Sequence, residues 1–288
     1  MTEETRQFYA AAIQDMCLMD DIFFCRFFDG NIDCTQYVLR IIMDKPDLIV
    51  KSAKSQFNVE NIRGRGIRLD VLAVDSAGKL YNIEVQRKDD GAVPQRARYN
   101  SSLLDADNLE KGAKFTDLPE TFVIFITERD VLKGGKQIYH IERVVKETGK
   151  SFGDGSKIVY VNGNMRGGSA LGDLMYDFFC RNASAIKSRL LATRTDFVKN
   201  NEKEVQVMSE FIERMMADYS ERLKEEARAE GKAEGRAEGK AEGKAEGKAE
   251  NLLENIRALM DTLHGTAEEA MTLLKIPPEK QKQLAPLI

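Results

Sequence analysis

The chain has 288 residues, room for one sizeable domain and a smaller appendage, and its 42% hydrophobic content is ordinary for a soluble protein. Its net charge of −4 excludes a molecule that grips nucleic acid over its whole surface. The charge is uneven, however: residues 51–100 hold ten Lys/Arg against six Asp/Glu, whereas residues 1–50 hold four against nine. Four cysteines (Cys17, Cys25, Cys34, Cys180) without CxxC spacing, and only two histidines (His140, His264), argue against a zinc site. Free thiols suit a reducing cytoplasm, and the acidic N-terminus does not read as a signal peptide. No apolar run approaches the ~20 residues that span a bilayer, so a cytoplasmic protein without membrane association is expected.

From Thr5 to about Phe28 apolar residues recur at helical spacing (Phe8, Ala11, Ala12, Cys17, Leu18, Ile22, Phe23), which predicts one or two helices broken near Asp29-Gly30-Asn31. Thr35 to Met43 reads as the next helix, through Tyr37, Val38, Ile41 and Ile42. Asp47 to Lys51 then reads as a first edge strand or a loop. Asn61 to Arg68 places Arg63, Arg65 and Arg68 around Gly64 and Gly66, a basic loop.

Arg68 to Arg87 is the stretch around which the rest is organised: two apolar runs flank a short polar turn, the pattern of a β-hairpin. Asp75-Ser76-Ala77-Gly78-Lys79 suits a three-residue loop whose last residue needs a positive φ, which Gly78 supplies. Asp75 then faces Lys79, and carrying the pairing back along both strands puts Asp70 opposite Glu84. Side chains two apart share a face, so Leu72, Asn82 and Gln86 join the two acids, and Leu69, Val71, Ala73, Tyr81, Ile83 and Val85 form the apolar face. A two-residue loop across Ala77-Gly78 would instead set Asp70 against Val85. Two carboxylates side by side repel each other and lose hydration unless a cation sits between them, and oxygen-only ligands favour a hard divalent ion such as magnesium. The alternative is an acidic pair that only solvates an exposed sheet face.

Downstream, Asp89-Asp90-Gly91 leads to a helix from Pro94 through Leu104, with proline in its first turn. Gln95, Arg98 and Ser102 fall at helical spacing on it, and Tyr99 is placed to pack beneath the sheet. Thr121 to Thr127 is almost continuous in β-branched and aromatic residues, a central strand buried on both faces. Ile138 to Ile141 and Ile158 to Val161 are shorter strands, and Leu171 to Phe179 is a helix. From Ala183 the chain is helical and charged. Ala229 to Glu250 then repeats Ala-Glu-Gly-Lys, with Arg236 the single variant. Its glycines and its like charges at i,i+4 predict a frayed, exposed helix in exchange with coil, acting as a linker. An amphipathic segment from Leu252 to Leu263 follows. Thr266-Ala-Glu-Glu269 is a capping box opening a further short helix, stopped by Pro277-Pro278.

Asp70 followed by Glu84-Val85-Gln86 on the next strand resembles the PD-(D/E)xK nuclease motif in an E-x-Q variant. The surroundings, Arg68-Leu69-Asp70-Val71-Leu72 and Asn82-Ile83-Glu84-Val85-Gln86, with Asp21-Ile22-Phe23 upstream and Arg98-Tyr99 downstream, resemble the recombination-promoting nucleases and transposases of bacteria (Rpn type). The likeness covers roughly residues 16–143. No proline precedes Asp70, and Gln86 stands where the parent motif has lysine. The resemblance implies an α/β fold of restriction-endonuclease-like type, a mixed central sheet flanked by helices with a helical C-terminal region. It also implies a metal-dependent DNA endonuclease, in which Asp70 and Glu84, with the Val85 carbonyl, hold Mg2+ or Mn2+ while Gln86 orients the attacking water. Asp21 is a further candidate acid, with a solvated helix face as the other reading for it and for Asp20. Arg63, Arg65, Arg68 and Arg98 are candidate DNA contacts. The expected organisation is a nuclease-like domain over 1–182, a helical extension over 183–228, the repeat linker over 229–250 and a small helical tail over 251–288 open to homo-oligomerisation. A nuclease-fold module, weak or inactive as a catalyst and binding DNA or protein as a regulator, is the alternative function.

Overall fold

The protein is described here by a computed structural model covering residues 3–60, 65–263 and 265–288. Its centre is a six-stranded mixed sheet in the order β1-β2-β3-β4-β6-β5. The strands are β1 (Val50–Val59), β2 (Ile67–Asp75), β3 (Leu80–Gln86), β4 (Thr121–Thr127), β5 (Ile138–Ile141) and β6 (Ser156–Asn162). β1 to β3 form an antiparallel meander, β3, β4 and β6 run parallel, and β5 returns antiparallel along β6. The parallel step from β3 to β4 requires a crossover, and α4 (Pro94–Asn108) supplies it.

The β2–β3 ladder pairs Val71 with Ile83, Leu72 with Asn82, Ala73 with Tyr81 and Val74 with Leu80, the register set by the longer loop. The turn has a local cause. Asp75 Oδ1 accepts from the backbone N–H groups of Ala77 and Lys79 at 2.8 and 2.9 Å, and Gly78 adopts φ +78°. β4 is buried along its whole length, as its unbroken apolar run requires.

Two apolar layers cover the sheet. On one face Val71, Ala73, Tyr81, Ile83, Val85, Ile124 and Val161 pack under α1 (Glu3–Asp15), α2 (Asp21–Phe28), α3 (Ile32–Ile42), α5 (Ala170–Phe179), α6 (Arg189–Asn200) and the start of α7 (Glu202–Leu263). α2 alone buries Phe23, Phe24, Phe27 and Phe28, each removing apolar surface worth about 1.5–3 kcal/mol. On the other face Leu72, Leu80, Val123, Phe125 and Tyr160 pack under Ala97, Leu103 and Leu104 of α4.

Several elements differ from the sequence reading. β1 runs ten residues through Lys51–Asn58, a stretch too polar to read as strand; it is a sheet edge, where lysine and solvated side chains are tolerated. Leu69, expected beside Val71, packs instead in the α4 layer, because the alternation of β2 breaks at Asp70. Opposite that break, Gln56 on β1 takes a left-handed φ of +52°. Pro278 opens a helix, α9 (Pro278–Leu284), where proline at the first position needs no N–H partner.

The chain divides into two compact units after Met216. In the first, Met208 and Ile212 of α7 join the core, so the charged region after residue 182 is packed at least that far. The second has its own small core of Ile256, Ala270, Met271, Ile276 and Leu284, with α8 (Ala267–Leu273) capped by the reciprocal Thr266–Glu269 bonds. The Ala-Glu-Gly-Lys repeat lies wholly within α7 as continuous helix.

Candidate active site

Beyond Val71 and Ile83 the two strands of the hairpin part, and carboxylates take up the backbone groups left over. Asp70 Oδ2 accepts the N–H of Val85 at 3.1 Å, and Glu84 Oε1 accepts the N–H of Asp70 at 3.3 Å. The acids therefore lie in the gap between β2 and β3 rather than on one face of a regular ladder. A thiol holds the break: Cys25 Sγ reaches the Asp70 carbonyl at 3.5 Å and receives Gln56 Nε2 at 2.8 Å. The Gln86 carbonyl accepts from Glu128 N–H on the β4 side. By the alternation of a strand, the Val85 carbonyl points the other way, toward Asp70.

Glu84 is fully buried. Its Oε1 also accepts from Asn82 Nδ2 at 2.8 Å, and Asn82 Oδ1 in turn accepts from Asn100 Nδ2 at 3.2 Å. Its Oε2 takes Arg96 Nη2 at 2.6 Å. The same guanidinium donates through Nη1 to the Gly91 carbonyl at 2.8 Å and lies over the Phe125 ring.

The electrostatics follow from this crowding. Burial raises the Asp70 carboxyl well above the ordinary range, and the nearby charges of Glu84 and Asp21 raise it further. Burial also raises Glu84, against the lowering effects of Arg96 and of the Asn82 bond. Protonation or a cation relieves such a pair.

Asp21 opens α2 and is exposed, its Oδ1 accepting the Ile22 N–H. Asp20 is taken up by Arg87 at 3.0 Å, which also pairs with Glu128 at 3.0 Å. Gln86 is half-buried with its side-chain oxygen against Gly91, where a Cβ would lie 2.0 Å from it. Of the candidate arginines, Arg63 falls outside the described residues. Arg65 is exposed, its carbonyl accepting the Tyr99 hydroxyl, Arg68 is half-buried on β2, and Arg98 is exposed on α4. Gln95 and Ser102 are likewise exposed; the helix turns Arg96 toward Glu84 and Asn100 toward Asn82 instead.

Arg96, which meets Glu84, and Asn100 and Gly91, which reach it through Asn82 and Arg96, are thus parts of the site that the sequence pattern does not reveal. The phase of α4 was the missing signal, because the helix carries few apolar residues, and only Ala97, Leu103 and Leu104 mark its buried side. Among the described residues no group of three or more His, Cys, Asp or Glu side chains converges as a metal cluster. The donor set on offer is two carboxylates and a main-chain carbonyl, all hard oxygens. That fits a cation such as Mg2+, which keeps several of its waters.

A mixed sheet whose antiparallel hairpin brings an Asp and a Glu together before a parallel crossover defines a restriction-endonuclease-like α/β nuclease fold. Consistent with this, the family model of the PD-(D/E)XK nuclease family transposases matches residues 29–237, and the chain belongs to that family. The comparison with curated proteins found no match, and neither did the comparison with solved structures.

Proposed function

We propose that this protein is a Mg2+- or Mn2+-dependent DNA endonuclease of the recombination-promoting type. The observation that carries the reading is the meeting of half-buried Asp70 and wholly buried Glu84 in the parted hairpin, a pair of like charges in a family of nucleases. Asp70, Glu84 and the Val85 carbonyl would hold the metal, with Asp21, whose charge reaches Asp70, a further candidate acid. A divalent ion held there would lower the pKa of a bound water and offset charge developing on a phosphodiester. Gln86, braced on Gly91, would orient the water or a non-bridging oxygen by hydrogen bonding. Arg65, Arg68 and Arg98, together with Arg63, would contact phosphates flanking the cut.

A second reading is favoured by one observation: Glu84 already has a cation, Arg96, and Gln86 brings no charge of its own. A nuclease-fold module that binds without cutting would keep that pair closed. Nicking of supercoiled plasmid separates the two. The endonuclease reading expects cleavage with Mg2+, none with EDTA, and loss of at least about a hundredfold in Asp70→Asn and Glu84→Gln. Wild-type protein that binds DNA yet never nicks it with Mg2+ or Mn2+ would leave the module standing. Cleavage undiminished in both variants would remove the site assignment.

A further inference from the structure

The ion pair between Glu84 and Arg96 joins two groups of unequal freedom. The Glu84 side chain is wholly enclosed, whereas the Arg96 side chain is 36% exposed at the helix surface. Glu84 is fixed by Asn82 and by the Asp70 N–H as well as by Arg96, so it cannot leave; the guanidinium can, by rotating its long stem into solvent. Arg96 also reaches only one of the two acids. Its bonds go to Glu84 and to the Gly91 carbonyl, and among the described residues the Asp70 carboxylate accepts from the Val85 N–H and from no cation. The cation in place therefore bonds one carboxylate and acts on the other only through its charge.

Resting on the metal-nuclease reading above, we propose that Arg96 is a resident counterion that a divalent metal displaces from Glu84 on binding. A metal between Asp70 and Glu84 would satisfy both carboxylates, which Arg96 does not. Its positive charge would repel the guanidinium across the same few ångströms. Metal affinity is then set by a competition within the protein. Arg96 keeps the empty site from carrying two bare carboxylates, and its departure is part of the cost of loading. The exchange also reaches Gln86, since the guanidinium that leaves Glu84 is the one that holds the Gly91 carbonyl, and Gly91 is the surface on which Gln86 rests.

The test is Mn2+ binding by calorimetry, without DNA and at mildly alkaline pH, on wild type, Arg96→Met, Arg96→Gln, Arg96→Lys and Asp70→Asn. Removing the competitor should tighten Mn2+ binding by about tenfold in Arg96→Met and Arg96→Gln, the equivalent of one charge-assisted hydrogen bond no longer broken. Arg96→Lys, which keeps the charge, should bind close to wild type. The thermal shift on adding Mn2+ should also be larger in Arg96→Met than in wild type, because its metal-free form leaves Glu84 unpaired. A residue with a merely structural part would lower the melting temperature of the metal-free variants and leave Mn2+ affinity where it was. That result, in whichever of Arg96→Met and Arg96→Gln folds, would overturn the exchange while leaving the metal site intact. Wild type that binds no Mn2+, or binds it equally in Asp70→Asn, would remove the underlying site and the exchange with it.

Discussion

Asp70 shows how one side chain can be both a structural acceptor and a site of strain. It takes the Val85 N–H that a continued ladder would have given to a backbone carbonyl, so it is needed where it lies. Its ionisation there is opposed by burial, by Glu84 and by Asp21. The sign of the consequence is fixed. Both carboxyls are raised in the folded state, so the stability they contribute is fully present below the ordinary carboxylate range of about 4. It is lost as pH rises through their raised values. In metal-free buffer the wild type should therefore lose stability between mildly acidic and neutral pH. Asp70→Asn keeps an oxygen for the Val85 N–H and removes the repulsion. It should flatten that decline and be more stable than wild type at neutral pH by on the order of 1 kcal/mol. Melting temperatures across pH, with EDTA present, measure this. A variant as pH-sensitive as wild type would show that Asp70 is not the strained group.

The hairpin was legible in the sequence because its turn chemistry is local. Asp75 and Gly78 determine the loop length, and loop length determines which residues oppose one another. What could not be read is the break at Asp70. It depends on Gln56 and Cys25, which come from elements remote in the chain, and it sends Leu69 to the opposite face. The phase of α4 was hidden for a related reason. With polar Asn100 and Ser101 buried on its inner side, hydrophobic periodicity points nowhere in particular, and nothing in the pattern singles out Arg96.

Helical elements show the same limit in reverse. The Ala-Glu-Gly-Lys repeat satisfies few criteria for a stable isolated helix, yet it is helical between residues anchored in a core at each end, Met208 and Ile212 before it and Ile256 after it. Its five glycines have open space where a Cβ would be. Replacing Gly231, Gly235, Gly239, Gly243 and Gly247 by alanine should thus strain nothing and stabilise the helix by about 1 kcal/mol at each position. Circular dichroism should show higher helicity, and trypsin should cut the substituted repeat more slowly at Lys232, Arg236, Lys240 and Lys244. A wild-type repeat already resistant to trypsin would mean that the segment is held by packing and is not a linker.

At the scale of the whole molecule, no helix among the described residues is long and apolar enough to cross a membrane. The stretch that holds the hairpin, residues 51–100, carries ten Lys/Arg against six Asp/Glu, while the chain as a whole is acidic. The decisive property of the molecule is whether a cation belongs between Asp70 and Glu84. The most direct measurement is the anomalous scattering of Mn2+ in crystals soaked in the metal. The predicted result is a single strong peak within coordinating distance of the Asp70 and Glu84 carboxylates, with the Arg96 guanidinium moved away from Glu84. A map with no peak there at saturating Mn2+, and with the Arg96–Glu84 pair unchanged, would contradict it.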